Sequence, residues 1–187
     1  MKIPIVEMHS NQAEDAELVD KAKKDMKYFE VLYRKYYSQI FKFVRKRVAN
    51  ADLVNDITSQ VFLKAMLNIE KYKHQGFPFS SWLYRIALSE LGDMFRAETA
   101  ERALKVEWSN STDLLNDLDE SASKNDVNQL ASALNILSED NLSMIEMRYF
   151  EKVKLKEIAV IMNLSESNAK VKMHRTLNML RKHLKEK

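Results

Sequence analysis

Hydrophobic positions along this chain repeat with the period of an α-helix through most of its length. Between residues 29 and 48 the apolar side chains recur every three or four positions, which predicts a long amphipathic helix. A weaker pattern predicts a shorter helix around residues 13–24. A third stripe runs from Leu53 to Ile69, and we expect Asp52 to cap that helix. Its outward row is polar and comprises Asp56, Gln60 and Lys64.

A break in the pattern, KHQGFPFSSW, precedes the next helix. Gly76 and Pro78 both oppose helix continuation, and either Ser80 or Ser81 can cap the helix that follows. Trp82 lies among the apolar positions of this new helix, so we expect its ring to belong to the core rather than to a binding surface. The N-terminal half is therefore predicted to hold about four helices.

The segment from residue 97 to residue 126 loses the apolar stripe. It is rich in Ser, Asn and acidic residues, whose side chains compete for backbone hydrogen bonds and favour turns. We interpret it as a linker. Four of its residues are too apolar for a mere spacer, so we expect part of the segment to dock against a folded unit. These residues are Trp108, Leu114, Leu115 and Leu118.

Helical periodicity resumes after Val127 and ends in two helices joined by a short polar turn. The first covers residues 155–162, and the second restarts after Ser165, which we expect to cap it. Asn163 suits the left-handed conformation that a helix end requires, whereas Lys154 leaves the first helix start poorly capped. The pattern is typical of a helix-turn-helix whose second helix enters the major groove of DNA. An ordinary helical hairpin with a solvated basic face has a similar pattern.

Composition supports an all-α fold. Only 2 Gly and 2 Pro occur among 187 residues, and the common residue types favour helix. The formal net charge of +3 is too small to indicate nucleic-acid binding by itself, but the C-terminal end is basic and the middle acidic. The absence of Cys excludes disulfides, zinc sites built on thiolates and Cys nucleophiles, and it is compatible with a reducing cytosol.

Other function classes are disfavoured by what the sequence lacks. No apolar run is long enough for a signal peptide or a membrane span, so we expect a soluble intracellular protein. The 4 His residues include no pair at the helical spacing that binds zinc, and no Gly-rich phosphate loop is present. We therefore expect no catalytic residues, no metal site and no cofactor.

In three motifs taken in order, the chain resembles the extracytoplasmic-function (ECF) sigma factors, the two-domain promoter-recognition subunits of bacterial RNA polymerase in the sigma-70 family. The motifs are DITSQVFLKAM, FPFSSWLYRIALSELGDMFR and LSEDNLSMIEMRYFEKVKLKEIAVIMNLSESNAKVKMHRTLNMLRKHL. The resemblance implies a helical bundle of region-2 type over residues 1–97, an acidic linker over 98–126 and a helix-turn-helix domain of region-4 type over 127–187. It also implies the polymerase core, promoter DNA and an anti-sigma factor as partners, and a cytoplasmic location.

Three contact surfaces follow from this resemblance. The surface for core polymerase, whose mixed polar and apolar character suits a protein interface, comprises Asp56, Gln60, Phe62, Leu63 and Lys64. The surface that opens the minus-ten element, where bases stack and cations neutralise phosphate, comprises Lys73, Tyr84, Arg85, Ser89, Asp93 and Arg96. The surface that reads the minus-thirty-five element comprises Lys156, Ser167, Asn168, Lys170, Lys172 and Arg175. Within the last set, Asn168 and Arg175 are candidates for base edges or for the DNA backbone, and the lysines are candidates for phosphates.

The resemblance has departures and leaves one role open. Gln60 stands where many relatives carry an acid, and Ser89 stands where Asn is common, so one ion pair and one base contact are in question. The linker acids either follow the basic path that nascent RNA later takes through polymerase or simply belong to a tether that sets domain spacing. These acids are Asp113, Asp117, Asp119 and Glu120.

Two further readings compete with a sigma factor. A free-standing helix-turn-helix regulator fits the C-terminal half equally well, and it predicts DNA binding without polymerase, usually at a two-fold symmetric site. A helical adaptor that binds only proteins fits the composition but leaves the basic face of the last helix unexplained. Salt-dependent DNA affinity would disfavour the adaptor.

Overall fold

The computed structural model describes residues 12–97, 108–118 and 126–185, and these form nine α-helices with no β-strand. The all-α prediction is confirmed. The N-terminal helices are α1 (Gln12–Lys24), α2 (Phe29–Arg45), α3 (Ala51–Leu67) and α4 (Phe79–Arg96). The C-terminal ones are α5 (Trp108–Leu118), α6 (Asp126–Asn135), α7 (Glu139–Ile145), α8 (Leu155–Ile161) and α9 (Glu166–Lys185). Short 3-10 turns precede α2 and follow α3, and a π-helical turn, Glu146–Phe150, extends α7.

The N-terminal bundle is held by the apolar face of α2 packed against α3 and α4. Leu32, Ile40 and Val44 on α2 are fully buried, as the sequence period predicts. Aromatic rings join the three helices: Phe43 meets Tyr84 edge-on with ring centroids 4.9 Å apart. Such contacts fix the rotation of α4, because an edge-to-face pair is favourable only in a narrow range of ring orientations.

Two of the predicted helix caps are wrong. The cap of α3 is Asn50, not Asp52: its side-chain oxygen accepts hydrogen bonds from the backbone amides of Asp52 and Leu53. Pro78 precedes α4 and has no side chain that could accept a hydrogen bond, and the two candidate serines lie inside the first turn of the helix. A carboxylate from α1 takes their place, since Asp15 accepts a hydrogen bond from the Phe79 amide at 3.2 Å.

The C-terminal domain packs α6, α7 and α8 against the long helix α9. The apolar positions that repeat with a helical period after Val127 are buried here: Leu130, Leu134, Leu137, Ile145 and Tyr149. The predicted linker contributes α5 to this domain, and Leu114, Leu115 and Leu118 are buried there. The expectation that part of the linker docks is confirmed for these three leucines, whereas the side chain of Trp108 lies outside the described residues.

The helix-turn-helix forms as predicted. Ser165 caps α9 by accepting a hydrogen bond from the Asn168 amide at 3.2 Å. Asn163 has a left-handed φ of 55°, which lets the Leu164 amide bond back to the Ala159 carbonyl at 2.8 Å and closes α8. Lys154 makes no side-chain cap at the start of α8, also as expected.

The two domains contact each other through α4 and α8, and through the residues that follow α2. A fully buried ion pair, Arg47 with Glu146, links the end of α2 to the π-helical turn. Beside it, Lys46 pairs with Glu151 at 2.6 Å. The sequence left the relative placement of the domains open, because partners 105 positions apart carry no local pattern.

Candidate nucleic-acid interface

The predicted polymerase surface lies on α3, and four of its five residues are exposed. Asp56, Gln60, Leu63 and Lys64 present their side chains to solvent, whereas Phe62 is only 3% exposed. The Phe62 ring packs against that of Tyr33 on α2, with centroids 4.8 Å apart. The Phe62 ring therefore lies on the buried stripe of α3, where it completes the core between α2 and α3 and is not available for direct contact with polymerase.

An ion pair links this surface to α4. Lys64 donates a hydrogen bond to Glu90 at 2.5 Å, and this bond raises the pKa of the lysine. Two exposed apolar side chains extend the surface: Tyr33, and Leu67, which is 69% exposed and lies one turn beyond Leu63 on the same helix face. The predicted set omitted both, although helical spacing places Leu67 on the outer face of α3 beside Gln60 and Leu63. Tyr33 fits the apolar stripe of α2, and its exposure depends on how α2 packs in the fold.

The predicted minus-ten residues lie on α4 and the loop before it. Lys73, Arg85, Ser89, Asp93 and Arg96 are exposed. Asp93 and Arg96 form an ion pair one turn apart. Ser89 and Arg96 line a cavity of about 530 Å³ between α4 and the helix-turn-helix, together with Asn163 and Lys172 from the other side.

Tyr84 is the exception in the minus-ten set, since it is 1% exposed. Its hydroxyl accepts a hydrogen bond from Gln39 at 3.0 Å and donates one to Glu151 at 3.2 Å. Burial, reinforced by the nearby Glu151 charge, raises the pKa of the Tyr84 phenol well above its usual value. The availability expected for Tyr84 is wrong, because its ring fills the core and its hydroxyl joins the two domains.

Arg85 contacts the other domain directly. Its guanidinium donates a hydrogen bond to the Val160 carbonyl in α8. Both residues also line a smaller cavity of about 180 Å³, with Lys73 and Trp82. The Trp82 ring is half-buried and packs against Tyr72 and Phe79 at centroid distances of 5.0 and 5.4 Å. It therefore packs on the core only in part, and its edge forms part of this cavity.

The predicted minus-thirty-five residues lie on α9 and α8. One face of α9 is buried through Ala169, Met173, Thr176 and Leu180. The other face exposes Ser167, Asn168, Lys170 and Arg175, and Lys156 on α8 is exposed as well. The same exposed face of α9 carries Val171, His174, Asn178 and Met179, which the predicted set omitted although helical spacing places them there.

Lys172 differs from its neighbours on α9 because it is half-buried and pairs with Asp140 at 3.0 Å. Two linker acids are likewise engaged within the C-terminal domain: Asp113 pairs with Lys152, and Asp117 accepts a hydrogen bond from the Tyr149 hydroxyl at 2.6 Å. The remaining two, Asp119 and Glu120, lie outside the described residues.

Among the residues that the structure describes, no group of three or more His, Asp and Glu side chains is arranged to hold a metal ion. In the same part of the chain, each helix is too short or too polar to cross a membrane.

Comparison with known proteins agrees with this geometry. The family model for sigma-70 region 2 matches residues 32–101, and that for sigma-70 region 4 matches residues 128–180. The chain is 26% identical over 181 residues to the ECF RNA polymerase sigma factor BldN of Streptomyces coelicolor, a match that covers 91% of this chain and 66% of BldN. It is 24% identical to the ECF RNA polymerase sigma factor SigM of Bacillus subtilis, over 80% of this chain and 91% of SigM.

The solved structures add a likeness of fold. CnrH, determined in complex with the cytosolic domain of CnrY, superposes with a TM-score of 0.62 at 19% identity, covering 89% of this chain and 94% of that one. The two family models occupy the bundle and the helix-turn-helix domain in the order found here. On these matches, the chain belongs to the ECF sigma factors of the sigma-70 family.

Proposed function

We propose that this chain binds the core of bacterial RNA polymerase and directs transcription initiation through three surfaces. Residues 1–97 bind the polymerase core and the minus-ten element, and residues 127–187 read the minus-thirty-five element. Residues 98–126 connect these two domains. The observation that carries the proposal is the occurrence of regions 2 and 4 in order along one chain, each with an exposed polar face. A free-standing regulator does not need a surface that binds the polymerase core.

The polymerase core binds the outer face of α3. Asp56, Gln60 and Lys64 supply the polar rim, and Leu63 supplies apolar contact, which is the composition of a protein interface with a polar edge. Phe62 acts from beneath by supporting Tyr33. Gln60 offers hydrogen bonds instead of a charge, so this contact depends less on salt than an ion pair does.

The minus-ten element binds along α4 and its preceding loop. Lys73, Arg85 and Arg96 attract phosphate, Ser89 offers a hydrogen bond to a base, and a cavity lined by Lys73, Trp82 and Arg85 lies beside them. Tyr84 supports α4 from inside. The Arg85 guanidinium donates one hydrogen bond to the Val160 carbonyl. Because the side chain is exposed and a guanidinium has five N–H donors, Arg85 can still donate to phosphate.

The minus-thirty-five element binds the exposed face of α9. Asn168 and Arg175 reach base edges, Ser167 and the lysines at 156 and 170 contact the backbone, and Lys172 becomes free for phosphate once its pair with Asp140 opens. Lys170 pairs with the exposed Glu166 at 3.2 Å. Exposed pairs of this kind break at little cost.

The family consists of regulatory proteins without enzymatic activity, and we assign no catalysis to this chain: phosphodiester chemistry belongs to polymerase. Its place of action is the cytoplasm, where polymerase and promoter DNA are found. CnrH was determined in complex with the cytosolic domain of CnrY. By likeness of fold, an anti-sigma protein that covers α3, α4 or α9 is the expected negative regulator.

The test is reconstitution with sigma-free core polymerase on fragments of the source genome. We expect start sites that require both components. Lys64→Ala should weaken core binding, and Arg175→Ala should reduce transcription with core binding intact. Lys21→Ala is the matched control, since it breaks an exposed ion pair on α1, with Glu17 at 2.6 Å, away from all three surfaces. Sequence-specific DNA binding without any affinity for core would instead establish a free-standing regulator.

A further inference from the structure

The loop between residues 72 and 79 is fixed at both ends by side chains from α1. At its start, the Lys23 ammonium donates a hydrogen bond to the Tyr72 carbonyl at 2.8 Å. At its end, the Asp15 carboxylate accepts one from the Phe79 amide at 3.2 Å. These two residues lie eight positions apart on α1, which is about 12 Å along a helix. One helix therefore sets the distance between the two ends of the loop.

The Asp15 end of this arrangement is itself tightly held. Asp15 is 1% exposed, and it accepts further hydrogen bonds from the Tyr36 hydroxyl and from Lys35, the latter at 2.7 Å. Burial disfavours the charge on Lys35, but its bonds to Asp15 and Glu14 outweigh burial and raise its pKa. The carboxylate that holds the loop end thus has a fixed position and a fixed partner charge.

The segment between the two anchors is exposed and turns sharply. Lys73, His74 and Gln75 face solvent, and Gly76 has a φ of 75°, a conformation that side chains with a Cβ rarely adopt. Lys73 belongs to the proposed minus-ten surface, and the loop lines the cavity of about 180 Å³ with Trp82 and Arg85. Fixing the ends of such a loop before DNA arrives lowers the ordering cost of binding.

We infer that Asp15 and Lys23 of α1 are positioning residues for promoter opening: they hold the loop of residues 72–79 in the shape that receives the unpaired strand. This inference rests on the proposed function of α4 and its loop. Asp15 and Lys23 act without touching DNA. The anchors join backbone atoms of the loop, so they define its path without depending on the identity of its exposed side chains.

The first test needs no polymerase. Lys23→Met keeps the aliphatic stem and removes the donor, while Lys23→Arg restores a donor; Lys24→Met, at an exposed neighbour, is the matched control. In the free chain we expect the amide hydrogens of residues 73–77 and of Phe79 to exchange at least fivefold faster in Lys23→Met and in Asp15→Asn. Lys23→Arg and Lys24→Met should exchange as the unchanged chain does. Unaltered exchange in both test variants overturns the inference.

The second test measures promoter opening with core polymerase, by permanganate reactivity of the exposed thymines. Opening should fall about tenfold in Lys23→Met and recover in Lys23→Arg, while affinities for core and for minus-thirty-five DNA change less than twofold. Parallel loss of all three activities would indicate general destabilisation and overturn the positioning role. If the unchanged chain opens no promoter with core, the proposed function itself fails, and the exchange experiment still decides whether α1 fixes the loop.

Discussion

Replacing Glu146 with Gln should cost more stability than any other single conservative change at the domain interface. The Arg47 and Glu146 side chains are only 2% and 4% exposed, and the Arg47 guanidinium also lies 4.3 Å from the centroid of the Phe43 ring. Glu146→Gln preserves the shape of the side chain but leaves the arginine charge buried without its counter-charge. Breaking a buried pair in this way costs roughly 3 to 5 kcal/mol.

The chain has two ways to relieve this cost, and each has its own signature. If the domains stay together, the free energy of unfolding in urea falls by the full amount. If separating the domains costs less, Arg47 reaches water and the chain expands beyond the radius of gyration of roughly 16 Å that a single compact body of this length has. Urea titration and small-angle X-ray scattering on the same samples distinguish the two results.

Two further variants complete this experiment. The double change Arg47→Met with Glu146→Leu removes both charges and should recover most of the lost stability, because apolar replacement of a whole buried pair is often neutral. Lys152→Gln breaks the exposed pair with Asp113 and should cost less than about 1 kcal/mol. If the free energy of unfolding of Glu146→Gln lies within about 1 kcal/mol of that of the unchanged chain, and the radius of gyration is the same, then Arg47 does not need Glu146 as its counter-charge.

Four other outcomes follow from the described contacts. Ser165→Ala removes the cap of α9 and should lower the free energy of unfolding by about 1 kcal/mol; an unchanged urea midpoint would contradict the cap. Arg175→Ala should weaken binding to minus-thirty-five DNA by ~1 to 3 kcal/mol in fluorescence anisotropy, and equal weakening on unrelated DNA would make it a phosphate contact. Lys64→Ala should reduce core affinity in a pull-down titration while stability changes by less than about 1 kcal/mol; unaltered affinity would remove Lys64 from the polymerase surface. Burial raises the pKa of Glu157, so at pH values between the ordinary carboxyl pKa and this raised pKa the folded state binds more protons than the unfolded state. Stability therefore falls as the pH rises through this interval. Glu157→Gln should abolish this pH dependence in urea midpoints measured from mildly acidic to neutral pH, and a pH dependence that persists would contradict the assignment to Glu157.

Much of the candidate site follows from helical spacing. On α9, the alternation of buried Ala169 and Met173 with exposed Asn168 and Arg175 repeats the apolar period of the sequence. Helical spacing also places Tyr84 on the buried face of α4, with Ala87 and Leu91. Its hydroxyl made it a candidate for the polar surface, but Gln39 and Glu151 satisfy that hydroxyl inside the protein. Neither partner is near Tyr84 in sequence, so the sequence pattern does not show this pairing.

Helix caps likewise divide into those that neighbouring residues determine and those that depend on distant residues. The cap at Ser165 is local, so its position relative to the next apolar stripe was enough to predict it. The start of α4 has no local cap, and the carboxylate of Asp15 serves instead from 64 positions away. Sequence rules for helix caps consider only neighbouring residues. They therefore predicted Ser80 or Ser81 as the cap of α4, although both lie inside the helix.

The all-α fold, the helix-turn-helix near the C-terminus and the polar face of α9 could be predicted from the sequence, because helical period and local capping are properties of neighbouring residues. The sequence did not show which domain α5 joins, that the Tyr84 hydroxyl bonds to Gln39 and Glu151, or that Arg47 pairs with Glu146. Those outcomes depend on which surfaces come together in space, and a buried charge is tolerated only where the fold brings it a partner.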